Sequence, residues 1–206
     1  MKINHYMTGA LQVNTYLAYD ENSKKGFIVD PGGYDAKITN DAKNSDLEIE
    51  YIILTHGHGD HIGGVEQFKV DFPDAKVVAH QEEQELLTNP NANSSLEILG
   101  RPITIGADIF VKEGDTLEVG GITLNFLHTP GHTKGGMCIY ADDYIFSGDT
   151  LFRFSIGRTD FYGGDFREII NSIKEKLFRF PDSTVVLPGH MGQTTIGEEK
   201  RGNPFV

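Results

Sequence analysis

The stretch LTHGHGDHIGG holds three histidines and an aspartate within six residues: His56, His58, Asp60 and His61. The chain of 206 residues has only eight histidines, so composition does not explain this cluster. Imidazole and carboxylate groups bind zinc and related divalent ions. His56 and His58 are two residues apart, so in an extended turn both side chains point the same way and can bind one ion. Asp60 and His61 are adjacent, so their side chains either diverge or lie on a turn that enters a helix, and this geometry suits a second ion.

Three glycine-bearing stretches further along the chain carry additional candidate ligands. His132 lies in TPGHTKGG, Asp149 in SGDTLF and His190 in LPGH. Glycine lets the backbone adopt unusual angles and approach a ligand closely. A run such as HGHGDH is rare without a metal, and the downstream stretches strengthen the metal interpretation. The other three histidines are interpreted as structural or surface residues: His5, His80 and His128.

A strand-and-helix pattern occurs in both halves of the chain. In the first half a strand ends in Asp30, a helix follows, and the next strand ends in the LTH of His56. In the second half a strand ends in Asp149, a long helix follows, and the next strand ends in the LPGH of His190. Functional groups in α/β sheets collect beyond the carboxyl ends of strands. The pattern therefore predicts two sheets flanked by helices in a single domain, 1–206, with halves of about 1–110 and 111–206 and the site along the seam.

Apolar patterns define the individual elements. The clearest helix is DFREIINSIKEKLFRF, in which Asp165 and Glu168 form a capping box at the start. Its apolar stripe at helical spacing is predicted to be buried: Phe166, Ile169, Ile170, Ile173 and Leu177. A second helix is predicted over IGGVEQFKVDF, and residues 88–106 are expected to form an exposed loop or cap. Strands are predicted at residues 10–20, 25–30, 51–54, 76–80, 117–119, 122–127, 137–140, 144–146 and 183–190.

Composition restricts the class of protein. The formal net charge of −12 argues against a nucleic-acid footprint or a polybasic membrane-binding surface. No apolar run approaches the roughly 18 residues of a membrane span, and the start MKINHYMTG has no apolar signal region. We therefore expect a cytoplasmic protein. Cys138 is the only cysteine, and its apolar surroundings indicate a buried core residue rather than a nucleophile.

The motifs THGHGDH, TPGHTKGG, SGDTLF and LPGH, in that order, resemble the signature of the metallo-β-lactamase fold superfamily. Within it the chain is similar over its whole length to short glyoxalase II-type (hydroxyacylglutathione hydrolase-like) enzymes, which lack an extra C-terminal helical domain. The stretches SIGRTDFYGGD and TTIGEEKRGNPFV also resemble that branch. The resemblance implies an α/β fold, a four-layer αββα sandwich with the metal site at the edge of the two sheets.

The resemblance also implies a role for each candidate ligand. His56, His58 and His132 would bind a first ion. The second ion would be held by Asp60, His61 and His190, and Asp149 would bridge the two ions. Asp30 would support the metal loop, or would be a plain turn residue before Pro31. The ions would be zinc above all, with iron or manganese as alternatives.

Two ions about 3.5–4 Å apart can share a water and lower its pKa towards about 7. The resulting hydroxide would attack a thioester or ester carbonyl, oriented by the candidate catalytic residues Asp60 or Asp149. The ions outweigh the two carboxylates in charge, which favours a small anionic thioester substrate. Nothing in the sequence specifies the oligomeric state. Four cations could contact the substrate, although Arg158 is favoured as a structural partner of Asp160: Arg153, Arg158, Lys200 and Arg201.

Two other functions stay open. Persulfide dioxygenases resemble this chain too, including a GRTDF-type stretch, and use one iron bound by two histidines and an aspartate. Those ligands would be His58, His132 and Asp149, or His56 in place of His58. A metal-stabilised binding module without catalysis is the second alternative. A true β-lactamase is disfavoured because the motif after Asp149 lacks the cysteine ligand common in that branch.

Overall fold

A computed structural model describes all residues, 1–206. The strands are β1 Lys2–Thr8, β2 Val13–Tyr19, β3 Lys25–Val29, β4 Glu48–Ile53, β5 Lys76–His80, β6 Ile109–Val111, β7 Thr116–Val119, β8 Ile122–His128, β9 Met137–Ala141, β10 Tyr144–Gly148, β11 Leu151–Phe152, β12 Ser155–Ile156, β13 Val185–Pro188 and β14 Thr194–Thr195. The α-helices are α1 Ala36–Asn44, α2 Gly59–Ile62, α3 Val65–Asp71, α4 Gln84–Thr88, α5 Ser95–Leu99, α6 Phe166–Glu175 and α7 Ile196–Gly202. Short 3₁₀ turns cover Gln81–Glu83 and Leu177–Arg179.

The strands form two six-stranded sheets and one small hairpin. The first sheet runs β1-β2-β3-β4-β5-β6, and the second runs β14-β13-β10-β9-β8-β7. Strands β3 to β6 are parallel, and so are β10 and β13, while the other pairs are antiparallel. The chain passes from one sheet to the other once, between β6 and β7.

Alternation along the strands builds three hydrophobic layers. On β3, Phe27 points into the cluster between the sheets, whereas Ile28 points into the cluster beneath α1 and α3. On β10, Phe146 points between the sheets, whereas Ile145 packs beneath α6 and α7. This period of two is what extended strands impose. Three apolar interfaces separate four layers, so the predicted four-layer αββα sandwich is confirmed.

Helix α6 begins where its capping signal predicts. The Asp165 side chain accepts hydrogen bonds from the backbone N–H groups of Arg167 and Glu168. The backbone N–H of Asp165 donates to the carbonyl of Gly131 and thereby anchors the helix to the loop that precedes His132. One member of the predicted stripe is wrong: Phe166, in the first turn of the helix, is 54% exposed and lies outside the hydrophobic cluster beneath α6.

Other elements differ from the sequence prediction in instructive ways. The predicted helix over residues 62–72 is divided into α2 and α3 at Gly63 and Gly64. The backbone N–H of Gly64 donates to the carbonyl of Pro31 rather than to the preceding helical turn, so the helical hydrogen bonds are interrupted here. A Cβ at Gly63 would lie 2.4 Å from the carbonyl oxygen of Gly32, so the close packing of these loops also needs glycine. Residues 88–106 contain the short helix α5. Strand β1 and helix α7 were not predicted. None of the helices combines the length and apolar character that crossing a membrane requires.

Candidate metal centre

All seven predicted ligands lie at one edge of the sandwich. The loops that follow β4, β8, β10 and β13 carry them, and each loop begins at a carboxyl end of a strand. Asp60 and His61 lie in the first turn of α2, which begins at Gly59, as the sequence predicted for these adjacent residues. The side chains form two adjoining groups, which we call the histidine group and the mixed group.

The histidine group consists of His56, His58 and His132. All three residues are buried, and one ring nitrogen of each lies within 4.8 Å of those of the other two. The shortest approach is 3.0 Å, between Nδ1 of His58 and Nε2 of His132. This spacing resembles the distance of about 3.3 Å between neighbouring ligands around a tetrahedral zinc ion.

The mixed group consists of Asp60, His61 and His190, and it is more open, since the His190 side chain is 25% exposed. Nε2 of His190 lies 3.3 Å from Oδ2 of Asp60. Asp149 lies between the two groups. Its Oδ1 is 3.4 Å from Nε2 of His61, and its Oδ2 is 3.6 Å from Nε2 of His132. One carboxylate therefore faces both groups.

Hydrogen bonds fix which nitrogen of three imidazoles faces the centre. Nδ1 of His132 donates to the carbonyl of Arg158 at 2.7 Å, and Nδ1 of His61 donates to Oδ2 of Asp30 at 2.9 Å. Thr55 Oγ1 donates its hydrogen to the same Asp30 oxygen. Its lone pairs can therefore accept a hydrogen bond from Nδ1 of His56, which lies 3.1 Å from Oγ1. Outer hydrogen bonds of this kind orient metal-binding histidines. In each case Nε2 is left to bind an ion.

Unpartnered buried atoms provide an independent test of whether a metal fits. Four buried side-chain atoms lack a hydrogen bond: Nε2 of His56, His58 and His61, and Oδ1 of Asp149. Buried polar atoms are almost always hydrogen-bonded, because leaving one unpaired costs about 1–3 kcal/mol. Three of these atoms belong to the two groups, and the fourth belongs to Asp149 between them. Nitrogen and carboxylate donors concentrated in this way fit divalent metal ions, and the chain has the His/Asp clusters of a divalent-metal site.

The two groups differ in charge. Burial lowers the pKa of His56 well below its usual value and that of His58 to about 3, and the neighbouring imidazoles act in the same direction. Burial also disfavours charge on His61, but the carboxylates of Asp149 and Asp60 outweigh it and raise the His61 pKa well above its usual value. The histidine group is therefore neutral, and the mixed group carries charge.

Asp30 supports the centre rather than serving as a simple turn residue. Its Oδ1 accepts from the backbone N–H of Thr55, and its Oδ2 accepts from Thr55 Oγ1 and from His61. Its φ of 47° lies in the left-handed region, which costs about 1–3 kcal/mol for a non-glycine residue. The hydrogen bonds hold this conformation, and Asp30 thereby links the loop of His56 to His61.

Gly189 shows how tightly the loops approach one another. A Cβ at this position would lie 2.4 Å from Oδ1 of Asp149 and 2.6 Å from Cε1 of His61. Any larger residue would displace Asp149 and His61. The glycine before His190 is therefore required by the crowding of the centre.

A cavity of about 720 Å³ opens onto both groups and is bounded by apolar side chains and a few charges. Its apolar walls include Ile98, Phe152, Ile156 and Phe161. The ring of Phe161 meets that of His58 edge-on, with centroids 5.2 Å apart. The cavity can therefore hold a small molecule with an apolar part beside a reactive polar group.

Only one of the four candidate substrate cations lines this cavity. Arg158 does so, with its guanidinium 3.8 Å from the centre of the Phe161 ring and both of its hydrogen bonds to Asp160 at 2.7 Å. The predicted Arg158–Asp160 pair is thus present. Lys200 and Arg201 instead face Asp182, away from the cavity.

Three residues that the sequence analysis missed hold the ligand loops. Asn14 donates through Nδ2 to the carbonyls of Pro188 and Met191, and Tyr16 donates to the same Pro188 carbonyl. Glu83 contacts the loops on either side of the histidine group. Each contact spans 26 to 177 residues of sequence, so no local pattern indicates it.

Comparisons with known proteins agree with this geometry. The family profile described as the metallo-beta-lactamase superfamily matches residues 8–190. The hydroxyacylglutathione hydrolase GloC of Haemophilus influenzae is 36% identical over 212 residues, covering 100% of this chain and 98% of that protein.

Two solved structures are similar over nearly the whole chain. The BLEG-1 B3 metallo-beta-lactamase has a TM-score of 0.92 and 38% identity, covering 99% of each chain. TTHA1623 in a di-iron-bound form has a TM-score of 0.84 and 33% identity, covering 98% of this chain and 100% of that one.

Proposed function

The chain belongs to the metallo-beta-lactamase superfamily, and from this premise we propose that it is a dinuclear metal-dependent hydrolase that cleaves a thioester. Membership supports a hydrolase-type enzyme that binds divalent metal. The position of Asp149 carries the proposal of two ions, because its carboxylate faces both ligand groups at 3.4–3.7 Å. We also propose that residues 1–206 act as one domain built from two halves.

Seven residues are proposed as ligands. The histidine group, His56, His58 and His132, holds one ion, and the mixed group, Asp60, His61 and His190, holds the other, with Asp149 shared. Divalent ions in such a site polarise a carbonyl group and lower the pKa of a water towards neutrality. Zinc suits this nitrogen-rich donor set, with iron or manganese as alternatives.

Asp60 and Asp149 are proposed as the catalytic carboxylates. Burial would favour their protonated forms, but the charge of His61 outweighs it and lowers both pKa values, so both are ionised at neutral pH. An ionised carboxylate accepts a hydrogen bond from a water beside it and so turns a lone pair towards a substrate carbonyl. Both side chains line the cavity, where a substrate carbonyl would lie.

The substrate class follows from the charges and walls of the cavity. A small anionic thioester is proposed, with its acyl end near the metal groups and its thiol end against Ile98, Ile156 and Phe161. Arg158 is already paired with Asp160, so the cavity offers no free cation for a highly charged thiol. Glutathione thioesters and simpler S-acyl thiols should therefore both be hydrolysed.

Metal analysis paired with a substrate panel tests this proposal. Protein purified without added metal is assayed for metal per chain, then for hydrolysis of the glutathione thioester of lactate and of a truncated thioester. We expect two ions per chain and kcat/KM values within about a thousandfold, or 4 kcal/mol. A fully active protein with one ion would contradict the dinuclear proposal. A larger preference for glutathione would reveal a pocket for that thiol.

Two further substrates separate the alternatives. Because the BLEG-1 B3 metallo-beta-lactamase is 38% identical to this chain, a chromogenic β-lactam is included among the substrates. Glutathione persulfide with oxygen-uptake measurement tests the dioxygenase alternative, which needs one iron at His58 or His56, His132 and Asp149. Thioester turnover without oxygen uptake supports the hydrolase. Metal binding without turnover of any of these would favour the binding module.

A further inference from the structure

Glu83 is a buried carboxylate outside both ligand groups. It lies in the 3₁₀ turn after β5, is 1% exposed, and forms no ion pair with a lysine, arginine or histidine. An ionised carboxylate in such a place is costly unless hydrogen bonds compensate for lost water. Its neighbour Glu82 is far more exposed and pairs with Lys134.

Three hydrogen bonds join Glu83 to two loops from different sheets. Oε2 accepts from the backbone N–H of Gly57 at 3.1 Å, between His56 and His58. Oε1 accepts from the backbone N–H of Gly135 at 3.0 Å and from the Thr133 hydroxyl, just after His132. One side chain therefore contacts the loops of all three members of the histidine group.

Close packing makes this connection specific. A Cβ at Gly57 would lie 3.1 Å from Oε2 of Glu83, and a Cβ at Gly135 would lie 2.5 Å from the backbone nitrogen of Glu83. Both loops thus approach the turn of Glu83 as closely as glycine allows. A shift in either loop would break its hydrogen bond with the carboxylate.

We propose that Glu83 is a positioning residue that sets the distance between the His56–His58 loop and the His132 loop, and thereby the metal affinity of the histidine group. It acts through the backbone and touches neither ion nor substrate. This inference rests on the proposed metal centre. Outer hydrogen-bonding partners of ligands commonly contribute 10–100-fold to metal affinity, which is the size of effect expected here.

Glu83→Gln tests the proposal with almost no change in volume. The glutamine carbonyl can accept from one loop, but its NH₂ group then faces the N–H of the other loop, where two donors oppose each other. We expect affinity for the tighter-bound Zn²⁺, measured by chelator competition, to fall about 10–100-fold. In Co²⁺-loaded protein the visible spectrum should change, and kcat should fall more than KM changes. Glu82→Gln, on the adjacent exposed carboxylate, should match wild type in all three measurements.

Thr133→Val provides a milder second variant if Glu83→Gln does not fold. It removes one hydroxyl donor and leaves both backbone contacts of Glu83, so we expect a smaller loss of Zn²⁺ affinity, about threefold to tenfold. Wild-type Zn²⁺ affinity and an unchanged Co²⁺ spectrum in a folded Glu83→Gln protein would overturn the proposal. If Glu83→Gln is unfolded, wild-type affinity in Thr133→Val would overturn it. A wild-type protein that binds no metal would instead contradict the proposed function itself.

Discussion

The histidine group and the mixed group lie side by side but differ in charge and in exposure to solvent. The histidine group is fully buried, and its imidazoles are neutral because burial lowers the pKa values of His56 and His58. The mixed group has a raised His61 pKa among carboxylates and reaches solvent through His190. The first is a buried set of neutral nitrogen donors, and the second is a more exposed set in which His61 holds a proton in the absence of metal.

This difference implies different metal-binding behaviour. A metal ion entering the histidine group displaces no proton at neutral pH, whereas one entering the mixed group displaces the proton of His61. Solvent reaches the mixed group more readily. We therefore expect the histidine group to retain its ion and the mixed group to exchange its ion with solution. The following predictions test this contrast, from the largest effect to the smallest.

Asp149→Asn should have the largest effect, because Asp149 faces both groups. The change keeps the size of the side chain but removes the charge that allows two cations to lie close together. We expect loss of at least one ion and a fall in thioester turnover of about a hundredfold or more, beyond the loss typical of outer-sphere partners. Metal analysis measures the loss of the ion, a thioester assay measures turnover, and circular dichroism checks that the variant is folded. Asp143→Asn, on an exposed turn, is the control, and wild-type turnover in Asp149→Asn would refute the bridging assignment.

His190→Ala should separate the two groups. His190 belongs only to the mixed group, so this variant should keep the ion of the histidine group and lose the other. His132→Ala should instead release the ion that wild type holds most tightly. Dialysis against graded chelator, followed by metal analysis, distinguishes these outcomes. Retention of two tightly bound ions in His190→Ala would contradict the assignment of the groups.

Asn14→Ala should weaken the mixed group without removing a ligand. Asn14 holds the His190 loop through Pro188 and Met191, so losing these bonds lets the loop move. We expect about tenfold weaker binding of the exchangeable ion, and little change at the histidine group. Isothermal titration calorimetry with the exchangeable ion of the mixed group measures this affinity. Asn125→Ala, which removes an amide that bonds only to strand carbonyls, should leave both affinities unchanged.

The smallest effect concerns the pH dependence of stability. Burial raises the pKa of Glu83 to about 7, although its hydrogen bonds act in the opposite direction. Between about pH 4.5 and 7 the folded chain therefore binds more protons than the unfolded chain. Protonated Glu83 stabilises the fold fully below that range, and this part of the free energy of unfolding is lost as the pH rises through it. Metal-free wild type should lose several degrees of Tm relative to Glu83→Gln across this range. If the Tm values of the two proteins change in parallel across this pH range, the prediction is wrong.

The candidate ligands were predictable from sequence because each lies in a short motif at a strand end. His56, His58, Asp60 and His61 lie within six residues, in the loop after β4 and the first turn of α2, so local spacing brings them together. The repeated strand–helix–strand pattern indicated two sheets flanked by helices, and the family resemblance implied the four-layer order. The capping signal of Asp165 indicated the start of α6.

The supporting contacts were not predictable, for a physical reason. Glu83 is one of two adjacent glutamates in QEEQELL, and its inward direction depends on loops 26 and 52 residues away. Phe166 fits an apolar stripe, yet it is exposed and lies outside the cluster beneath α6. The break between α2 and α3 occurs where the N–H of Gly64 donates to Pro31, which is 33 residues away in the sequence. Such features depend on tertiary packing, which overrides local propensity.

The single passage of the chain between the two sheets also has a consequence for folding. Each ligand group draws members from both halves; His58 and His132 are 74 residues apart. Contacts between such distant residues slow folding, so we expect the proposed ions to bind after both halves have formed rather than to nucleate either half. A chain cut within residues 112–115 should yield two fragments whose reassociation strengthens with metal, because ions that bind only the joined form add their binding free energy to its stability. The cut protein would then be a metal-responsive fragment-complementation pair.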